Sequence, residues 1–89
     1  MRIIWSNSAW DDYVWWQDQD RKTLRRINKL IMAIERSAGS TDSALPGKAE
    51  RLKYSRFGLL SMRIDQSNRL VYKIENDALL IVSCKGHYE

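Results

Sequence analysis

The stretch Arg69-Leu70-Val71-Tyr72-Lys73-Ile74-Glu75-Asn76-Asp77-Ala78-Leu79-Leu80-Ile81-Val82-Ser83-Cys84-Lys85 reads as two strands and the turn between them. Leu70, Tyr72 and Ile74 alternate with Val71, Lys73 and Glu75, the period-two pattern of a strand with one buried face. Asn76-Asp77 interrupts the alternation with residue types that accept tight-turn geometry, and Leu79–Lys85 resumes as a second strand. The same reading applies upstream to Leu59–Ile64 and Ala49–Tyr54. Residues 49–85 therefore predict a four-strand antiparallel meander.

Before the meander the period is helical. Leu24, Ile27, Ile31 and Ile34 form an apolar stripe on a helix that Asp20 caps and that runs to about Arg36. Its other face carries Arg21, Lys22, Arg25, Arg26 and Lys29. Such a face is either a solvated surface or one that lies along a nucleic-acid backbone or an acidic partner. A shorter helix precedes it, capped by Ser6 or Ser8, with Ser8 and Asp11 at capping-box spacing. Trp10, Tyr13, Val14 and Gln17 recur there at helical intervals, so its aromatic crowding reads as packing; Trp15 and Trp16 cannot both face inward. Residues 2–5 read as a short strand. Ser37–Lys48, with Gly39, Pro46 and Gly47, is a polar connection expected to be mobile. The order of strand, two helices and four-strand meander is an α+β layer architecture.

The chain has 89 residues, room for one domain, 1–89, with 44% hydrophobic and 29% charged residues in ordinary globular proportion. Cys84 is the single cysteine, so an intramolecular disulfide is impossible and a reducing cytoplasm is the expected setting. No apolar run has signal or membrane-spanning length. The net charge of +4 is unevenly spread. Asp11, Asp12, Asp18 and Asp20 make the start acidic, and basic zones follow at Arg21–Arg36 and Leu45–Lys73. Polyanion binding is the natural inference, because each Lys or Arg placed on a phosphate releases counterions.

One Cys and one His do not make a protein-only zinc site, the acids lack EF-hand spacing, and the glycines are too scattered for a phosphate loop. No metal or cofactor is expected. Cleaving RNA without metal takes a base for the 2′-hydroxyl, an acid for the 5′-oxygen and cations on the phosphate. The residues available are Glu50 among the bases Lys48, Arg51 and Lys53, the pair Arg63 and Arg69 flanking a hairpin, and the lone His87. Taken singly, Glu50 is an ordinary surface charge, His87 a frayed end, and Cys84 a buried, inert thiol.

In order and spacing, however, a set of segments resembles the YoeB toxins, a branch of the RelE superfamily of ribosome-dependent mRNA interferases. They are Ile4-Trp5-Ser6, Trp10-Asp11-Asp12-Tyr13, Trp16-Gln17, Asp20, Ile27-Asn28-Lys29-Leu30-Ile31, Gly47-Lys48, Glu50, Leu52-Lys53, Ser61, Arg63-Ile64, Arg69-Leu70-Val71-Tyr72 and His87-Tyr88. The resemblance implies a RelE-like (microbial-RNase-like) fold. It implies Glu50 as general base, Arg69 as phosphate contact, His87 as general acid and Tyr88 as terminal substrate contact. Lys53 and Arg63 match supporting cations, with Lys48 and Arg51 beside them, and Arg21, Arg25 and Lys29 are candidate ribosome contacts. The implied partners are mRNA on the ribosome, ribosomal RNA, a YefM-type antitoxin and a second copy of the chain, with no membrane. The sequence departs from the family pattern at Ala49 and Arg51 around the glutamate, at Leu60 and Met62, at Gly86 and in the added Glu89. Those departures keep two rival readings open: a non-catalytic ribosome- or RNA-binding module, and a structural partner for an antitoxin.

Overall fold

The computed structural model describes residues 1–38, 50–51 and 58–86. Its elements are β1 (Arg2–Trp5), α1 (Asn7–Gln19), α2 (Arg21–Ala38), β2 (Glu50–Arg51), β3 (Leu60–Arg63), β4 (Arg69–Glu75) and β5 (Ala78–Ser83). They build one five-stranded sheet in the order β1-β5-β4-β3-β2. The steps from β2 to β5 are antiparallel, as the meander requires. β1 adds in parallel beside β5, so the first strand lies against the last and the sheet as a whole is mixed.

Asn76 and Asp77 both have positive φ, 50° and 60°, the paired left-handed geometry that lets a two-residue loop follow the twist of a hairpin. The other hairpin, β3–β4, closes on an Asx turn. Asp65 Oδ1 accepts the Ser67 and Asn68 backbone N–H groups, each at 2.8 Å, and the Ile64 N–H reaches the Asn68 carbonyl at 2.9 Å. These local bonds end β3 at Arg63, short of the Ile64 expected from apolar pattern alone.

Ser6, of the two candidates, is the N-cap of α1: its hydroxyl accepts the Ala9 N–H at 3.0 Å. The same hydroxyl donates to the Val82 carbonyl at 2.8 Å. Val82 is the residue that a register irregularity leaves without a partner on β4, so a β-bulge supplies the acceptor. Asp20 ends α1 and caps α2, accepting the Thr23 N–H at 3.1 Å and its hydroxyl at 2.7 Å. Those Thr23 bonds hold the Asp20 carboxyl below its usual range.

The core lies between one sheet face and the two helices. Ile27, Leu30, Ile31 and Ile34 of α2 meet Leu60, Met62, Ile64, Leu70, Tyr72, Leu79 and Ile81. The expected stripe thus holds, widened by Leu30, with Leu24 only partly buried at its start. α1 is phased differently from its apolar pattern. Ala9 and Trp16 are buried and Tyr13 half-buried, whereas Trp10, Val14 and Trp15 are 50%, 40% and 42% exposed. Polar docking explains the rotation. The Trp16 indole N–H donates to the Cys84 carbonyl at 2.8 Å, and Asp12 Oδ2 accepts the Cys84 N–H at 3.1 Å. One residue of phase is roughly 100° of helix rotation, so these two bonds select the face. Trp10 stays in the aromatic cluster through Trp5 and Tyr13, at ring-centroid distances of 5.9 and 6.0 Å.

Tyr72 is fully buried in this core, and among the described residues its hydroxyl has no hydrogen-bond partner. Burial pushes its pKa up to about 12. A buried unsatisfied hydroxyl costs about 1–3 kcal/mol, so Tyr72→Phe is expected to leave stability unchanged or raise it by about 1 kcal/mol in urea unfolding. A loss larger than that would mean that the hydroxyl is bonded.

Candidate active site

Alternation along β3 and β4 puts Leu60, Met62, Leu70 and Tyr72 on the helix side and Ser61, Arg63, Arg69 and Val71 on the opposite face, where Ser61 and Val71 are buried and Arg63 is exposed. Arg63 and Arg69 are cross-strand register partners. Two cationic residues therefore stand side by side where β3 ends and β4 begins. Arg69 is partly sheltered, and its Nε donates to the Ser61 hydroxyl at 3.0 Å. That bond fixes the plane of the guanidinium, whose Nη groups carry the remaining donors. Ser61 is itself buried, 1% exposed, an unusual place for a serine between Leu60 and Met62. It missed selection as a functional residue in the sequence, although its polarity inside an apolar strand was the available signal.

β2 brings the candidate base into the same frame. Glu50 is the register partner of Ser61, the residue that receives the Arg69 Nε, and Arg51 stands opposite Leu60 in the alternate row. The strand positions of Glu50, Arg63 and Arg69 therefore adjoin across three strands. Lys48, Lys53, His87 and Tyr88 lie outside the described residues. Arg21, Arg25 and Lys29 are all exposed along one side of α2, away from the core stripe.

The chain that leads to His87 is described as far as Gly86, and each of its last three residues has its own partner. Cys84 has its N–H and carbonyl taken by Asp12 and Trp16. Lys85 lays its ammonium over the Trp15 ring, 4.0 Å from the centroid. Gly86 donates its N–H to Asn68 Oδ1 at 2.8 Å and accepts the Arg69 N–H at 3.0 Å. The base of the tail is thus fastened to the first residue of β4, which is the proposed phosphate contact. Gly86 has φ +76°, a left-handed conformation that disfavours any side chain.

Cys84 is fully buried, with its Sγ 3.7 Å from the Ala9 carbonyl. Burial, with the Asp12 carboxylate adding to it, pushes the thiol up to about 12. It is an inert packing residue. Among the described residues no group of three or more His, Cys, Asp or Glu side chains is placed to hold a metal ion, and no helix is long and apolar enough to cross a membrane.

Comparison with known proteins gives a consistent result. Residues 5–88 match the family model of the YoeB-like toxin of bacterial type II toxin–antitoxin systems. Toxin YoeB of Escherichia coli K12 is 42% identical over 88 residues, covering 99% of this chain and 100% of that protein. Among solved structures, the YoeB dimer from Staphylococcus aureus superposes with a TM-score of 0.84 at 37% identity, covering 99% of this chain and 98% of that one. The YoeB–YefM complex from the same organism gives 0.80 at 36% identity, again covering 99% and 98%.

Proposed function

Since the chain belongs to the YoeB-like toxins of bacterial type II toxin–antitoxin systems, we propose that it is a ribosome-dependent endoribonuclease that cleaves mRNA in the ribosomal A site and so arrests translation. The observation that supports this most directly is the Arg63–Arg69 pair on the sheet face opposite the helices, with Arg69 braced on Ser61 and the strand position of Glu50 across from that serine. A paired cation site beside a carboxylate position suits a crowded phosphate next to a hydroxyl that must lose its proton.

In this reading Glu50 takes the 2′-hydroxyl proton, the freed oxygen attacks the adjacent phosphorus, and His87 protonates the departing 5′-oxygen. The products are a 2′,3′-cyclic phosphate and a 5′-hydroxyl end. Arg69 and Arg63 stabilise the charge that builds on the phosphate, Lys53 orients it, and Tyr88 contacts a base or the backbone; Lys48 and Arg51 add to the field. Positioned acid–base groups contribute about 10²–10⁴ each in rate. The ribosome supplies the remainder by holding the message in line, while the exposed Arg21, Arg25 and Lys29 contact ribosomal RNA. Glu50 must be ionised and His87 protonated, so the rate follows a bell-shaped pH profile.

A YefM-type antitoxin is the proposed neutralising partner and a homodimer the proposed free state, by analogy with the Staphylococcus aureus assemblies. Ribosomes set the proposed location, the cytoplasm. Primer extension on message bound to purified ribosomes tests the reading. Breaks should fall after the second position of the A-site codon, depend on ribosomes, and leave 5′-hydroxyl ends. Growth arrest without breaks would instead favour a non-catalytic ribosome-binding module, and 5′-phosphate ends would mean hydrolysis by another route.

A further inference from the structure

A glycine directly before a residue that must be aimed is a hinge, because it rotates freely where any other residue would not. Cys84 and Lys85 are held by α1, but those contacts do not restrain rotation at Gly86. What restrains it is the start of β4. The Gly86 N–H is on Asn68 Oδ1 at 2.8 Å, and the Gly86 carbonyl, part of the peptide unit that joins it to His87, accepts the Arg69 N–H at 3.0 Å.

The Asn68 amide is itself aimed. Its Nδ2 donates to both Asp65 oxygens, at 2.9 and 3.0 Å, and an amide that gives its nitrogen to a carboxylate must turn its oxygen the other way, toward Gly86. Asp65 in turn is held by the Asx turn of the β3–β4 hairpin. The relay Asp65–Asn68–Gly86 therefore ties the departure of the tail to the hairpin that presents Arg63 and Arg69.

We propose that Asn68, oriented by Asp65, is a positioning residue for the general acid: it fixes the Gly86 peptide unit from which the chain continues to His87. The inference rests on the cleavage reading above and adds to it a residue outside the substrate contacts.

Two measurements on the full chain test it together: single-turnover cleavage of ribosome-bound message, and hydrogen exchange of the Gly86 amide. Asn68→Ala should raise Gly86 exchange by about tenfold or more. It should lower kcat by about 10- to 100-fold with KM unchanged, the cost of a misaimed group rather than of lost binding. The exchanged pair D65N/N68D keeps one amide and one carboxylate but swaps them, so the carboxylate accepts the Gly86 N–H and the amide donates to it. That variant should restore both Gly86 protection and kcat. The proposal is overturned if Asn68→Ala frees the Gly86 amide yet cleaves at the wild-type rate. It is equally overturned if the swap restores protection without restoring kcat, or if KM and melting temperature move along with kcat in Asn68→Ala. Should the wild-type protein cut no message, the cleavage reading falls and the positioning role with it, whereas wild-type cleavage that Asn68→Ala leaves unchanged overturns the positioning role alone.

Discussion

Arg69→Ala is expected to lower ribosome-dependent cleavage by about 10²–10³-fold, the usual loss when one preorganised donor to a developing oxyanion is removed. The expectation follows from how the guanidinium is held. Its Nε donates to Ser61, so its orientation is set before substrate arrives, and its strand position is directly across from that of Arg63. Arg69→Lys should recover little, since an ammonium keeps the charge but not the planar fork. The fold should survive the alanine change, because Arg69 opens β4 outside the buried core cluster; an unchanged urea midpoint would show this. A companion His87→Ala protein should lose about 10²–10⁴-fold, the worth of a positioned general acid. Wild-type rates in the Arg69→Ala protein would remove the phosphate role from this residue and with it the proposed chemistry.

How far the fold was legible varied with the physics of each element. β4 spans Arg69–Glu75, as its alternation indicates, but its burial is not one-sided: Leu70, Val71 and Tyr72 are all buried, and Ile74, expected on the buried face, is exposed near the strand end. The α2 stripe and its Asp20 cap were equally plain, since periodicity and capping chemistry agree there. β5 was expected over Leu79–Lys85 but runs from Ala78 to Ser83. It stops early because the Cys84 backbone bonds to Asp12 and Trp16, side chains more than sixty residues away in sequence. The parallel pairing of β1 with β5 was hidden for the same reason: a four-residue strand carries a period but not the identity of its neighbour. The phase of α1 was concealed because its aromatics ring the helix, leaving the choice of face to two polar bonds. Of Ala49–Tyr54, only Glu50 and Arg51 fall among the described residues as strand, and the 37–48 connection is described only through Ala38.

The site was legible in charge and obscure in support. Arg63 and Arg69 flank a hairpin in the sequence and meet across it in the fold. Ser61 and Asn68 brace Arg69 and Gly86; Ser61 was marked only by its polarity between Leu60 and Met62, and nothing local distinguishes a turn asparagine that bonds a distant residue from one that faces water.

Trp16→Ala should be the most destabilising single change in α1, at about 3–5 kcal/mol, the usual cost of truncating a buried tryptophan. That is a large share of the roughly 5–15 kcal/mol that holds a native domain together, so the variant should be partly unfolded at modest urea concentration. Two effects add. The buried ring leaves a cavity among residues that cannot fully collapse, and the Cys84 carbonyl loses the donor at 2.8 Å. Trp16→Phe separates them: it retains most of the packing but orphans the carbonyl, for which about 1–3 kcal/mol is expected. Trp15→Ala is the control on the same helix. That ring is 42% exposed and touches Trp16 edge-on at 4.9 Å and the Lys85 ammonium at 4.0 Å, so its removal should cost about 1 kcal/mol or less. Cys84 supplies an independent readout. Its buried, high-pKa thiol should resist alkylation at pH 8 in the native protein and in Trp15→Ala, and react readily in Trp16→Ala as the clasp between α1 and the end of β5 opens. Equal urea midpoints and equal thiol reactivity for Trp15→Ala and Trp16→Ala would mean that α1 is held by its aromatic surface in general rather than by the bonds at Cys84.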